Sequence, residues 1–129
     1  MPRYVILHHE LPAGAALTGG RTSHWDLMLE HDGVLRTWAI PVEPSSPLSC
    51  DAERLVDHRI QYLDYEGPIT GNRGHVTRWD AGEYQVLTET EQQIEVELDG
   101  LRLSCHLAMR QKNSAHFWSV SFGTAPMRG

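Results

Sequence analysis

Between His24 and Ile40 the chain alternates, turns and alternates again, and this stretch commits it to antiparallel sheet. His24, Asp26, Met28 and Glu30 fall on one side of an extended strand, and Trp25, Leu27 and Leu29 on the other. Asp32-Gly33 follows, a dipeptide suited to the positive φ angles of a two-residue hairpin, and Val34 to Ile40 reads as the returning strand. The same grammar recurs along the chain. Arg3 to His9 is a nearly continuous apolar run, readable as a buried strand. Gly74 to Trp79, Tyr84 to Thr88 and Gln93 to Leu98 also read as strands. Asp99-Gly100 predicts a second tight hairpin into Leu101 to Met109, and His116 to Phe122 closes the set. Short strands joined by turn residues, with almost no helical periodicity, predict an all-β fold. The expectation is a small antiparallel β-barrel with one or two short helices, one of them over residues 50–57.

The length of 129 residues fits one domain, 1–129, with 123–129 expected as a patternless, flexible tail. No apolar run approaches a membrane span, and Met1-Pro2-Arg3 leads into the first strand without the features of a signal peptide. A cytoplasmic location with no membrane partner is therefore expected. Cys50 and Cys105 lie in no C-x-x-C pair and do not make a disulfide framework. The formal net charge of −6 tells against a broad, sequence-independent grip on duplex nucleic acid, which relies on many Lys/Arg–phosphate contacts. A nucleic-acid partner would be held locally, at a short end.

The chemistry concentrates on His24-Trp25-Asp26. Two residues apart on one strand, an imidazole and a carboxylate face the same way and come within reach of one ion. A third ligand has to come from another strand, and His9, ending the first apolar strand, is the natural candidate. His8 and His9 point to opposite faces, so one of them at most joins the site. A His₂Asp set with open positions suits Mn²⁺, Fe²⁺ or Zn²⁺. His-x-Asp alone is a weak motif that more often marks a structural pair than a metal site.

The flanking blocks sharpen the reading. His24-Trp-Asp-Leu-Met-Leu-Glu30 with Asp32-Gly-Val-Leu-Arg-Thr-Trp-Ala-Ile-Pro41 resembles the 3′-phosphoesterase family of bacterial ligase D, whose pattern is H-[YW]-D-[FL]-R-L-E followed by D-G-V-L-x-S-W-A-V-P. Asp57-His58-Arg-Ile-Gln-Tyr62-Leu-Asp-Tyr-Glu-Gly67 is similar to that family's D-H-P-L-x-Y-x-D-F-E-G. Tyr4-Val-Ile-Leu-His-His9 is similar to F-V-V-Q-x-H, and Gly71-Asn-Arg-Gly74 with Val76 and Trp79-Asp80 completes the ordered set. The resemblance implies a stand-alone, Mn²⁺-dependent enzyme, with Zn²⁺ or another divalent transition metal as the alternative, that trims 3′-phosphates and 3′-ribonucleotides from DNA ends. It implies His9, His24 and Asp26 as metal ligands and His58 and Tyr62 as catalytic residues contacting the scissile phosphate. The implied partners are the 3′ end of a primer–template and a separate ligase or polymerase of end joining.

Three positions depart from the family pattern. Met28 stands where the family has arginine, Val42 where it has lysine, and Leu7 where it has glutamine. Losing two cations weakens the stabilisation of negative charge at a phosphoryl site. Arg73 and Arg21 are the expected surrogates for phosphate binding, and Glu30 is expected either to orient a metal ligand or to form a salt bridge. Two rival functions remain open: a non-catalytic DNA-end-binding or scaffold module that kept the fold, and a metal-dependent hydrolase of a small phosphorylated metabolite. His75, His106 and His116 read as structural histidines, and Trp25, Trp38, Trp79 and Trp118 as core or rim aromatics. Cys105-His106 is not expected to act as a nucleophile–base pair, because adjacent strand residues point apart.

Overall fold

A computed structural model describes residues 1–12, 23–71 and 73–123. Its strands are β1 (Arg3–Glu10), β2 (Ser23–His31), β3 (Val34–Ile40), β4 (Leu48–Arg54), β5 (His58–Arg59), β6 (Gly67–Pro68), β7 (His75–Glu89), β8 (Gln93–Gly100), β9 (Ser104–Gln111) and β10 (Phe117–Phe122). One 3-10 turn, Ile60–Leu63, interrupts them. Asp32 and Gly33 take φ angles of 52° and 82°, the two positive values of a type I′ turn, and join β2 to β3 as the dipeptide requires. The strands run β1-β2-β3-β4-β10-β9-β8-β7, and β7 pairs back onto β1, so the antiparallel sheet closes into an eight-stranded barrel. The two short strands sit outside this ring, β5 beside β3 and β6 beside β7.

Alternation sorts each strand into an inside and an outside. Ile6, Leu27, Leu29, Trp38, Val96, Leu107 and Phe122 fill the barrel with little or no exposure. A second apolar cluster lies on the outer wall, where Val5, Leu7, Met28, Leu35 and Val76 are buried beneath Leu63 of the 3-10 turn. β1 is thus covered on both faces, which is why its sequence reads as an unbroken apolar run rather than an alternating one.

Three local expectations are corrected. Residues 50–57 hold no helix: Leu48–Arg54 is β4, paired with β10, and Ala52 of its inner side is buried opposite Trp118. The helix-favouring residues Ala52, Glu53 and Arg54 yield to sheet pairing and burial. The strands expected at 74–79 and 84–88 are one 15-residue strand, β7, with register shifts in its pairing to β1 and to β8. Such bulges let one strand bend round from one neighbour to the next. The second hairpin turns later than Asp99-Gly100, because both residues still belong to β8 and Gly100 N–H donates to Leu103 C=O at 2.8 Å.

Asp80 holds that turn against the wall. It is 2% exposed and accepts hydrogen bonds from Tyr4 Oη at 2.6 Å, Arg102 N–H at 2.8 Å and Leu103 N–H at 3.2 Å. Burial, reinforced by this carboxylate, pushes the Tyr4 phenol far above its ordinary pKa, so it stays a donor. Gly100 faces the same pair. A Cβ there would lie 2.0 Å from Tyr4 Oη.

Candidate metal centre and the adjoining cavity

Register builds the centre. β1 and β2 pair with His9 opposite His24 and Leu7 opposite Asp26, so His9, His24 and Asp26 share the outer face of two adjacent strands. Their ligand atoms all lie within 4.8 Å of one another. His24 Nε2 stands 2.8 Å from Asp26 Oδ1, and His9 Nδ1 stands 3.7 Å from Asp26 Oδ2. The rings of His9 and His24 meet edge to face at 4.8 Å.

Hydrogen bonding leaves this cluster unsatisfied from within. His24 Nδ1 and Asp26 Oδ1 are buried without a hydrogen-bond partner among the described residues. The short approach of His24 Nε2 to Oδ1 is therefore proximity without good donor–acceptor alignment. Lone pairs gathered in a dry pocket at this spacing fit a divalent cation better than they fit each other. His9 has the remote hydrogen bond common to ligating histidines, since its Nε2–H donates to the Arg73 carbonyl at 2.7 Å and leaves Nδ1 as the lone-pair nitrogen. Burial pushes the Asp26 carboxyl up, but the two imidazoles beside it, His24 foremost, outweigh it and hold the group below its ordinary value. Asp26 in turn raises the pKa of His9, against burial and with help from the Arg73 carbonyl.

The loop that delivers this carbonyl has no slack. Gly74 has φ +87°, and a Cβ added there would lie 1.8 Å from the Glu10 carbonyl oxygen. A residue without a side chain is needed to bring Arg73 this close to the end of β1. Sequence reading marked Arg73 for its guanidinium. It missed the carbonyl, which only the glycine-flanked spelling of the loop could have signalled.

Beside the centre lies a cavity of about 410 Å³, lined by Val56, Asp57, His58, Arg59, Gln61, Tyr62, Tyr65, Pro68, Ile69, Thr70 and Arg73. His58 and Tyr62, paired in the sequence reading, meet edge to face here at 5.9 Å. His58 Nδ1–H donates to Val56 C=O at 2.8 Å, which leaves Nε2 as the nitrogen with a lone pair. Arg73 joins the two regions, with its carbonyl on His9 and its side chain in the cavity lining. Its guanidinium is turned onto Thr70, Nε donating to the carbonyl at 2.7 Å and Nη2 to Oγ1 at 3.3 Å.

Other expected members stand elsewhere. Arg21 lies outside the described residues, as does most of the expected tail. Glu30 shares the strand face but lies two pleats from Asp26. Its carboxylate accepts from the Arg3 amide at 2.8 Å, so the expected orientation of a metal ligand is not what it does. His8 faces the other way and stacks on Trp25 at 4.5 Å. Cys105 is buried inside the barrel and its thiol is pushed up to about 11, chiefly by burial, while His106 faces outward, so no nucleophile–base pair exists there.

Met28 is 1% exposed within the outer apolar cluster, whereas Val42 is exposed and apart from the cavity lining. The floor beside Asp26 is accordingly apolar, made of Leu7 and Met28. Among the described residues no helix is long and apolar enough to cross a membrane.

Comparison with known proteins agrees with this architecture. The profile of the DNA ligase D 3′-phosphoesterase domain matches residues 18–111. A multifunctional non-homologous end joining protein LigD from Pseudomonas aeruginosa is 34% identical over 91 residues, which is 63% of this chain and 11% of that protein. The protein of the same name from Mycobacterium bovis is 33% identical over 106 residues, 72% of this chain and 13% of its own length. That from Mycolicibacterium smegmatis is 38% identical over 72 residues, 50% of this chain and 9% of its length. The chain thus spans only a small part of each relative. On the strength of the profile match and of these identities, the chain belongs to the DNA ligase D 3′-phosphoesterase domain family.

Proposed function

We propose that the chain is a divalent-metal-dependent phosphoesterase that removes a 3′-phosphate or a 3′-terminal ribonucleotide from DNA ends. It would serve end-joining repair in the cytoplasm, beside a separate ligase or polymerase. The observation that carries this reading is the convergence of His9, His24 and Asp26 within 4.8 Å, two buried polar atoms among them unpartnered. These residues would hold the ion, Mn²⁺ first and Zn²⁺ as the alternative. Bound there, such an ion supplies polarisation of a phosphoryl oxygen and a more acidic water.

The protein's own groups have separate tasks. The Arg73 carbonyl keeps His9 in one tautomer. His58, fixed through Nδ1–H, presents Nε2 as the atom that can carry a proton to a leaving oxygen. Tyr62 offers a neutral hydroxyl donor to a phosphate. Leu7, Met28 and Leu63 keep the strand face dry, which strengthens electrostatic interactions nearby.

The test is incubation of Mn²⁺-loaded protein with a primer–template bearing a 3′-phosphate or a single 3′-ribonucleotide. Release of phosphate or nucleoside is expected, together with its loss in EDTA and in Asp26→Asn. A second reading is favoured by one specific observation, the burial of Met28 where a cation would stabilise developing charge. If the wild type is inert with Mn²⁺ and Met28→Arg restores turnover, the chain is an end-binding module.

A further inference from the structure

Two segments that line the cavity are anchored to different parts of the barrel. The first begins with β5, where His58 pairs with Leu35 of β3, and continues into the 3-10 turn, which buries Leu63 in the outer apolar cluster. The second is β6, where Gly67 pairs with Val76 and Pro68 with His75 of β7. Tyr65 stands between them, and its backbone is tethered at both neighbours. Asp64 binds Arg3 at 2.9 Å, and the Glu66 carboxylate accepts from Arg78 N–H at 2.6 Å.

The Tyr65 ring is held as well. Its hydroxyl donates to the Pro68 carbonyl, which ties the ring to the β6 backbone. Gly67, at φ +140°, leaves room for that hydroxyl: a Cβ there would lie 3.1 Å from its oxygen. From this position Tyr65 meets Tyr62 edge to face at 5.6 Å with 88° between the planes. Tyr62 in turn meets His58 edge to face at 5.9 Å. Edge-to-face contact is a favoured geometry for aromatic quadrupoles. Among the described residues no hydrogen bond holds the Tyr62 hydroxyl, so ring packing is what sets its direction. A hydroxyl left free for a phosphate has to be aimed by its ring, and the ring by what it packs against.

We infer that Tyr65 is a positioning residue of this site, which aims the Tyr62 hydroxyl at a bound phosphate. Its own hydroxyl is spent on Pro68, so it acts through Tyr62 and not on the ligand. The reaction it assists rests on the phosphoesterase reading above.

The experiment is a double-mutant cycle on the full Mn²⁺-loaded chain, with kcat/KM measured on a primer–template bearing a 3′-phosphate. It compares wild type, Tyr65→Leu, Tyr62→Phe and the double variant, with Tyr65→Phe alongside and each variant assayed well below its Tm. Tyr65→Leu keeps apolar bulk but removes the aromatic edge contact, and kcat/KM should fall roughly 10- to 100-fold, the order expected when a group is displaced by up to about 1 Å. Tyr65→Phe keeps the ring and should recover most of the loss. In Tyr62→Phe the hydroxyl to be aimed is gone, so adding Tyr65→Leu should cost little more. The His58 ring signals in NMR sense the Tyr62 ring and should move in Tyr65→Leu but not in Tyr65→Phe. Additive losses, wild-type kcat/KM in Tyr65→Leu, or unmoved His58 signals would overturn the inference. If the wild type is inert with Mn²⁺, the phosphoesterase reading falls, and the same cycle read in affinity for inorganic phosphate decides the role of Tyr65 by the same two outcomes.

Discussion

Two of the places on this barrel that set histidine beside carboxylate on paired strands differ in how deeply they are buried. On β1 and β2, His9, His24 and Asp26 gather their donor atoms within 4.8 Å, beside the apolar cluster that the 3-10 turn covers. On β8 and β9, His106 stands opposite Glu97, and its two nitrogens go to two different carboxylates, Nε2 to Glu95 at 3.0 Å and Nδ1 to Glu97 at 3.4 Å. The side chains of His24 and Asp26 are 9% and 5% exposed, and that of His106 is 35%. Both combine histidine and carboxylate at i, i+2 spacing across paired strands, two histidines with Asp26 in the first and His106 with two glutamates in the second. Without a cover, the second set spreads into water as ordinary surface ion pairs. The 3-10 turn between β5 and β6 packs next to the first set, over Leu7 and Met28, the apolar neighbours of Asp26.

The largest test of that contrast is to remove a donor from each place. Asp26→Ala takes away the carboxylate that both histidines face, and Mn²⁺ affinity measured by calorimetry should fall by more than about 100-fold. Glu95→Ala should leave it unchanged. Equal losses from the two variants would mean that the ion is held by diffuse surface charge.

A second test strips the cover and leaves the donors in place. Leu63 is 4% exposed and packs with Val5, Leu7, Met28, Leu35 and Val76. Leu63→Ala should reduce stability in urea by about 2–4 kcal/mol, the usual cost of cutting a buried leucine to alanine. If cover is what makes the site, Mn²⁺ affinity should fall with it under conditions where the variant remains folded. Full stability would show that the turn lies on the wall without holding it.

A third test moves the carbonyl behind His9. Gly74→Ala places a Cβ where the Glu10 carbonyl already is, so the loop must shift and carry the Arg73 oxygen with it. Mn²⁺ affinity is expected to fall roughly 10- to 100-fold, the usual range when a partner behind a metal ligand is lost. The ¹⁵N shifts of His9 should show the tautomer mixing as well. Gly33→Ala is the control. It also has a positive φ, but its Cβ would meet nothing within 4 Å, so only backbone strain of about 1 kcal/mol is expected.

These features were unevenly legible in the sequence. Alternation from His24 to Glu30 and the Asp32-Gly33 turn are local signals, and they predicted the hairpin and placed His24 and Asp26 on one face. Period two cannot say which face of a barrel is inside. That His24, Asp26 and Met28 look outward follows from a crossing segment that packs from far along the chain. The helix expected over 50–57 failed for a related reason, because pairing with β10 is non-local and overrides helix-favouring composition. β7 was read as two strands because bulges interrupt its alternation near Trp79 and Leu87. The Arg73 carbonyl was hidden most completely, since every residue carries one and only geometry selects it.

The smallest expected effect is the most direct check on the uncovered set. His106→Ala removes the ring that Glu95 and Glu97 share, so its consequence for folding is bounded by what exposed ion pairs contribute, from nothing to about 1 kcal/mol. The inner neighbours Cys105 and Leu107 remain buried and the β8–β9 ladder is untouched, so the barrel's core packing is kept. Removing the ring also leaves the Glu95 and Glu97 carboxylates side by side with no donor between them, and added salt should screen their repulsion. The measurement is urea unfolding of His106→Ala at low and high ionic strength, with Mn²⁺ affinity alongside. A shift below about 1 kcal/mol that shrinks in salt, with unchanged affinity, is the expected result. A loss of several kcal/mol, or weaker Mn²⁺ binding, would make the uncovered set a part of the centre and erase the distinction between the two walls.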